Sequence, residues 1–149
     1  MKYIGIDPDL HKCGVAIMEE GKYTRLTVMS FPVLLELFEA STMDKDVVFV
    51  VEDVNKHKPT FFRGVKSKAV TNNISQKVGM VKGVGTKIIE MLQHHHCHYE
   101  LIEPLKGMLK RTKEDRALFE RLTGWTGKSN ADNRDAAMLI YKYRQKARV

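Results

Sequence analysis

The chain has 149 residues, 43% hydrophobic and 29% charged, and carries a net charge of +7. That length suits one domain over residues 1–149 with a real core, and the composition excludes a low-complexity or repeat protein. Apolar runs too short for a bilayer, no secretory pattern and only two cysteines, Cys13 and Cys97, exclude a membrane protein or a disulfide scaffold and point to free thiols in a cytoplasm.

Residues 2–7 read as a strand, because Tyr3, Ile4 and Ile6 have the bulky or β-branched character of a buried one and Pro8 cannot donate to the next ladder position. Asp7 therefore stands where the strand ends. An Asp-Pro pair alone is commonly a turn cap, but an acid on a rigid, buried element also needs a positive partner, which a cation supplies. Residues 13–18 make a second strand, and a tight connection pivoting on Gly21 leads to a third over 23–31, so the three form an antiparallel meander. Pro32 opens a short helix to about residue 40, with Leu34, Leu35, Leu37 and Phe38 as its apolar face.

Val47 to Val51 is apolar without alternation, as in a strand covered on both faces, and it runs into Glu52 and Asp53. Two buried strands that each deliver an acid at the C-terminal end are how open α/β sheets build sites at one edge. Residues 54–70 then read as a long loop. From Lys56 to Lys87 there are eight basic residues (Lys56, Lys58, Arg63, Lys66, Lys68, Lys77, Lys82, Lys87) and no acid, which is a phosphate-binding surface and most simply one for nucleic acid. Phe61 and Phe62 among these cations suit stacking on bases or wedging between them, unless the pair folds back on the core. Thr71 is placed to cap a helix to about residue 93, in which Gly79, Gly83 and Gly85 permit close approach to the sheet.

The run His94 to His98 is a polar helix end, since contiguous residues converge poorly on one tetrahedral ion. Residues 99–102 form the last strand. Beyond it the charge changes: residues 104–149 hold twelve Lys/Arg against five Asp/Glu, whereas residues 1–103 balance at thirteen of each. Lys106, Lys110 and Arg111 come first, and Thr112 begins a cap-like opening for a helix through Leu122. Gly127-Lys128-Ser129 is no nucleotide P-loop, because Leu122 stands where that motif needs its first glycine, and no nucleotide cofactor is expected. The final helix, about 130–146, sets Asp132 and Asp135 at i and i+3 on one face, with Ala136, Ala137, Leu139 and Ile140 against the sheet.

Asp7, Glu52, Asp132 and Asp135 thus lie at ends of buried elements. Gathered at one point they would repel unless divalent cations join them, and hard oxygen donors suit Mg²⁺ or Mn²⁺. Two such ions can activate a water on one side of a phosphodiester and stabilise the leaving oxygen on the other.

The order strand-Asp, meander, helix, strand-Glu, helix, strand, then a helix with Asp-x-x-Asp resembles the ribonuclease-H-like nucleases, and among them the RuvC-type Holliday junction resolvases. The motifs that carry it are Ile4-Gly-Ile-Asp7-Pro with Gly14, Val50-Val-Glu52, and Asp132-x-x-Asp135-Ala-Ala. The resemblance implies an α/β fold with a five-stranded mixed sheet, the first three strands a meander, flanked by helices. It also implies two Mg²⁺ ions per active site, with Asp7 bridging them, Glu52 holding one and Asp132 with Asp135 completing the pair. Lys106 and Lys113 match the family's phosphate-holding positions, with Lys110 able to take either role, and Phe61 or Phe62 falls where an aromatic enters the junction. A homodimer nicking two symmetric strands of a four-way junction and leaving 5′-phosphate ends is the implied activity.

Asp9 stands where the family usually has Gly, and the loop after Glu52 is unusually rich in Lys. With the brevity of the chain, these departures resemble the phage-encoded branch, which implies broader cutting of branched DNA inside a bacterial cell. Two other functions fit the same residues: a nuclease on RNA–DNA hybrids or flaps, and a non-catalytic binding module with structural acids. An actin-like ATPase also ends its first strand in an acid, but its second half does not fit in this length.

Overall fold

A computed structural model describes residues 1–56 and 68–145, and for residues 68–72 and 74 the backbone alone. Its elements are β1 (Lys2–Asp7), β2 (Cys13–Glu19), β3 (Lys22–Met29), α1 (Phe31–Ala40), β4 (Val47–Glu52), α2 (Lys68–His94), β5 (His98–Ile102), α3 (Gly107–Arg111), α4 (Arg116–Thr123) and α5 (Ala131–Leu139). The strands form one mixed sheet in the order β3-β2-β1-β4-β5. The meander pairs antiparallel, while β1 with β4 and β4 with β5 pair parallel. That is the expected α/β class and strand arrangement.

The unalternating run of β4 lies inside the sheet, between β1 and β5, with both of its faces covered. Val47, Phe49 and Val51 join Ile4, Ile6, Leu34, Phe38, Ile88 and Leu92 in a core under α1 and α2. Val50 joins Ala16, Met18 and Phe119 beneath Ala136 to Ile140 in a second core on the opposite face. Each such large side chain taken from water contributes roughly 1.5–3 kcal/mol, so the two cores hold β1 and β4 rigidly side by side. Both cysteines are free and buried.

Tertiary contacts shift several boundaries read from the sequence. The third strand stops at Met29, so that Ser30 takes the N-cap position of α1, with no side-chain cap bond among the described residues, and Pro32 falls in its first turn. Thr71 does not begin α2, which starts three residues earlier at Lys68. Gly79 and Gly83 face open space, and of the three glycines only Gly85 makes a close approach, its Cβ position 2.7 Å from the Val54 side chain. Thr112 closes the short α3, which the sequence reading missed, and Asp115 caps α4 by accepting from the Leu118 N–H at 2.9 Å. The last helix ends at Leu139 rather than near 146, and a 3₁₀ turn over Tyr141–Tyr143 follows. There Tyr143 stacks on Tyr3 with ring centroids 3.8 Å apart, and the Gln145 N–H donates to the Gly21 carbonyl at 2.9 Å. These contacts hold the chain against the sheet edge, where a continuing helix would carry it away. Among the described residues no helix is long and apolar enough to cross a membrane.

Candidate active site

Parallel pairing places the two strand-end acids together. β1 and β4 run in register from Lys2 opposite Val47 to Ile6 opposite Val51, so the next residues along, Asp7 and Glu52, leave the sheet side by side. Pro8 ends β1 there. α5 brings the other pair across. Asn130 accepts from the Asn133 N–H at 2.9 Å while Asn133 accepts from the Asn130 N–H at 2.8 Å, a reciprocal cap that sets where the helix starts. The helix then packs backbone to backbone on the sheet at two glycines. A Cβ at Gly5 would lie 2.2 Å from the Ala136 carbonyl oxygen, and one at Gly14 would lie 2.2 Å from that of Asp132.

Asp7, Glu52, Asp132 and Asp135 consequently line one cleft, together with Asp9, Lys110 and Lys113. Asp7, Glu52 and Asp135 are buried, at 9%, 8% and 4% exposure. Burial first, and then the negative charges of Asp135 and Glu52, push the Asp7 carboxyl up to about 8 against the pull of Lys113. Asp132 is also raised, by burial and then by Asp9. Lys113 is lowered by burial, but Asp135 and Asp7 outweigh this and hold its ammonium above the ordinary value. Its Nζ lies 3.4 Å from Asp135 Oδ2, and Lys110 Nζ lies 3.5 Å from the same oxygen. Among the described residues Asp135 Oδ1 is buried without a hydrogen-bond partner.

The donor set fits hard divalent cations: every candidate ligand is a carboxylate oxygen, and one is orphaned in the protein alone. Among the described residues no three His, Cys, Asp or Glu side chains are already close enough to hold an ion. The two lysines meet part of the excess negative charge at Asp135. A stability effect follows. Asp7's folded-state value of about 8 exceeds the ordinary 3.8, so its contribution is complete below about pH 4 and is lost as pH rises toward 8. Thermal melts of chelator-treated protein across this range are expected to show the fall, and saturating Mg²⁺ is expected to reverse it; a flat profile would contradict the crowding of acids.

The basic residues are placed less evenly. Lys110 and Lys113 stand on the cleft, whereas Lys106 is exposed just ahead of α3 and is absent from the lining. Lys56 is exposed and pairs with Glu103 at 3.6 Å. Lys58, Phe61, Phe62, Arg63 and Lys66 lie outside the described residues, and Lys68 is described only as backbone opening α2. Two residues near the site escaped the sequence reading. Asp9 adds a fifth acid, its only sign being its place two residues past the strand end. Arg134, between the acids of α5, gave no sign, since the carbonyls it grips are more than twenty residues away.

No protein-family model matches the chain, and neither does any curated protein. Among solved structures, Thermus thermophilus RuvC in complex with a Holliday junction substrate matches with a TM-score of 0.56 at 14% identity, over 96% of this chain and 94% of that one. The structure of Thermus thermophilus RuvC by itself matches with a TM-score of 0.53, at the same identity and coverage. The mixed five-stranded sheet with its flanking helices is the ribonuclease-H-like fold of RuvC.

Proposed function

We infer that the chain is a Mg²⁺-dependent endonuclease that resolves four-way DNA junctions by paired nicks. The observation that carries this reading is the meeting of Asp7, Glu52, Asp132 and Asp135, from three remote stretches, in one lysine-edged cleft. The similar RuvC fold, solved with a Holliday junction substrate, supports the choice of branched DNA. When bound, two Mg²⁺ ions, or Mn²⁺ in their place, supply an activated water and neutralise the leaving oxygen. Asp7 and Glu52 would hold them from the sheet side, and Asp132 with Asp135 from the helix side. Lys110 and Lys113 attract the phosphate to that point and carry positive charge where negative charge develops. Lys77, Lys82 and Lys87 on α2 extend the cationic surface along the DNA backbone.

A homodimer belongs to this reading, because a four-way junction offers two equivalent strands and each chain has one such cleft. An apolar recess edged by Leu10, Phe31, Met80 and Val84 supports it as a surface for a second copy. The phage-type branch, and with it a bacterial cytoplasm, rests on Asp9 and the lysine-rich stretch after Glu52. The test is a gel with four-way, three-way and linear DNA and an RNA–DNA hybrid, with and without Mg²⁺. Cutting of the four-way junction only with Mg²⁺ is expected. Preferential cutting of the hybrid would move the function to the ribonuclease side of the fold, and no metal-dependent cutting at all would reduce the chain to a binding module.

A further inference from the structure

Arg134 sits on α5 directly before Asp135, yet its donors go elsewhere. It is 9% exposed. Nε donates to the carbonyls of Thr112 and Lys113 at 3.0 and 3.2 Å, Nη2 donates to Lys113 at 2.6 Å, and Nη1 donates to Ser129 Oγ at 3.1 Å. Among the described residues these partners are all neutral oxygens. Burying a full charge against neutral acceptors carries a larger desolvation cost than a neutral donor would, so tying down a loop does not by itself call for arginine. What the guanidinium adds is a rigid fork that grips consecutive carbonyls at once.

The gripped carbonyls belong to the segment joining α3 to α4, which carries Lys113 and follows directly on the last turn of α3, where Lys110 stands. α3 is five residues long with no fully buried residue, and of its side chains only the partly buried Leu109 packs against the second core. Both lysines nevertheless reach Asp135 Oδ2. One turn of α5 thus contains the acid and the clamp that sets two cations over it.

Resting on the nuclease reading above, we propose that Arg134 is a positioning residue: by holding the backbone at 112 and 113, it keeps Lys110 and Lys113 where the scissile phosphate meets the acids. It touches no reacting atom itself. Its effect on cleavage therefore runs through the two lysines.

The test compares single-turnover junction cleavage in Mg²⁺ by the wild-type chain, Arg134→Met, Lys110→Ala/Lys113→Ala, and all three substitutions together. Arg134→Met is expected to slow cleavage on the order of tenfold to a hundredfold, as a small misplacement of a charge-stabilising group does. Junction affinity should stay nearly constant, because many lysines share the phosphate contacts. In the chain already lacking both lysines the same substitution should slow cleavage far less. Ser129→Ala removes one anchor of Arg134 without opening the core, and it should show a smaller loss with the same dependence on the lysines, so it decides the matter if Arg134→Met does not fold. Losses equal in both backgrounds and parallel to a lowered melting temperature would make Arg134 a stabiliser only, overturning this inference while leaving the nuclease intact. A wild-type chain that cuts no DNA removes both.

Discussion

Asp7→Asn is expected to abolish junction cleavage, a loss of at least about a thousandfold, while making the metal-free chain more stable at alkaline pH. Asparagine keeps the shape of the side chain at the end of β1 and removes its charge. A metal-assisted displacement draws several kcal/mol from cations held at the reacting phosphate, and each tenfold in rate corresponds to about 1.4 kcal/mol, so losing the sheet-side ligand costs about three powers of ten or more. Junction binding should persist, since the lysines of α2 and the cleft rim remain. The stability change has the opposite sign. Charging Asp7 in the folded chain is opposed by burial and by Asp135 and Glu52, which is why its carboxyl is pushed up to about 8. Asn cannot be charged, so the variant escapes that cost, and the gain should be near zero below about pH 4, grow as pH rises, and be full above about pH 9. Cleavage assays paired with melts in chelator at both ends of this range check the result. Lost cleavage together with lower stability at high pH would mean a damaged fold, and the acids would no longer be the explanation.

Gly14→Ala is expected to destabilise the chain and to disable cleavage beyond what the unfolded fraction explains. The added Cβ would sit 2.2 Å from the Asp132 carbonyl oxygen and 2.9 Å from the Asn133 nitrogen, both backbone atoms of the first turn of α5. No rotamer change relieves such a contact. Either β2 or the helix start moves, at about 1–3 kcal/mol for overpacking of this kind. Moving the helix start carries Asp132 and Asp135 away from Asp7 and Glu52. Gly83→Ala is the control, because the space around it is open and its helix should gain roughly 0.5–1 kcal/mol. Thermal melts and cleavage rates normalised to folded protein separate the two variants. A Gly14→Ala chain with wild-type stability and rate would show that α5 does not rest on the sheet at this point.

The backbone order of the fold was legible in the sequence, because period and punctuation are local. Unalternating β4, the Asp-Pro end of β1 and the small residues of α5 each follow from which side chains suit a covered strand, a missing donor or a close packing. So the four acids could be named from their places at the ends of buried elements. Their sharing one cleft was decided by parallel pairing of β1 with β4, which joins residues 45 positions apart, and by the seating of α5 on Gly5 and Gly14, which joins residues more than a hundred apart. Lys110 and Lys113 could be named from the sequence, but that they and not Lys106 line the cleft, that Asp9 joins the acids, that Arg134 grips the backbone and that α5 ends early could not. The physical reason is the same in each case. Propensity and spacing report what a residue does to its neighbours in the chain, whereas a carboxylate's charge, a lysine's reach and a guanidinium's partners depend on which other elements the two cores press against it.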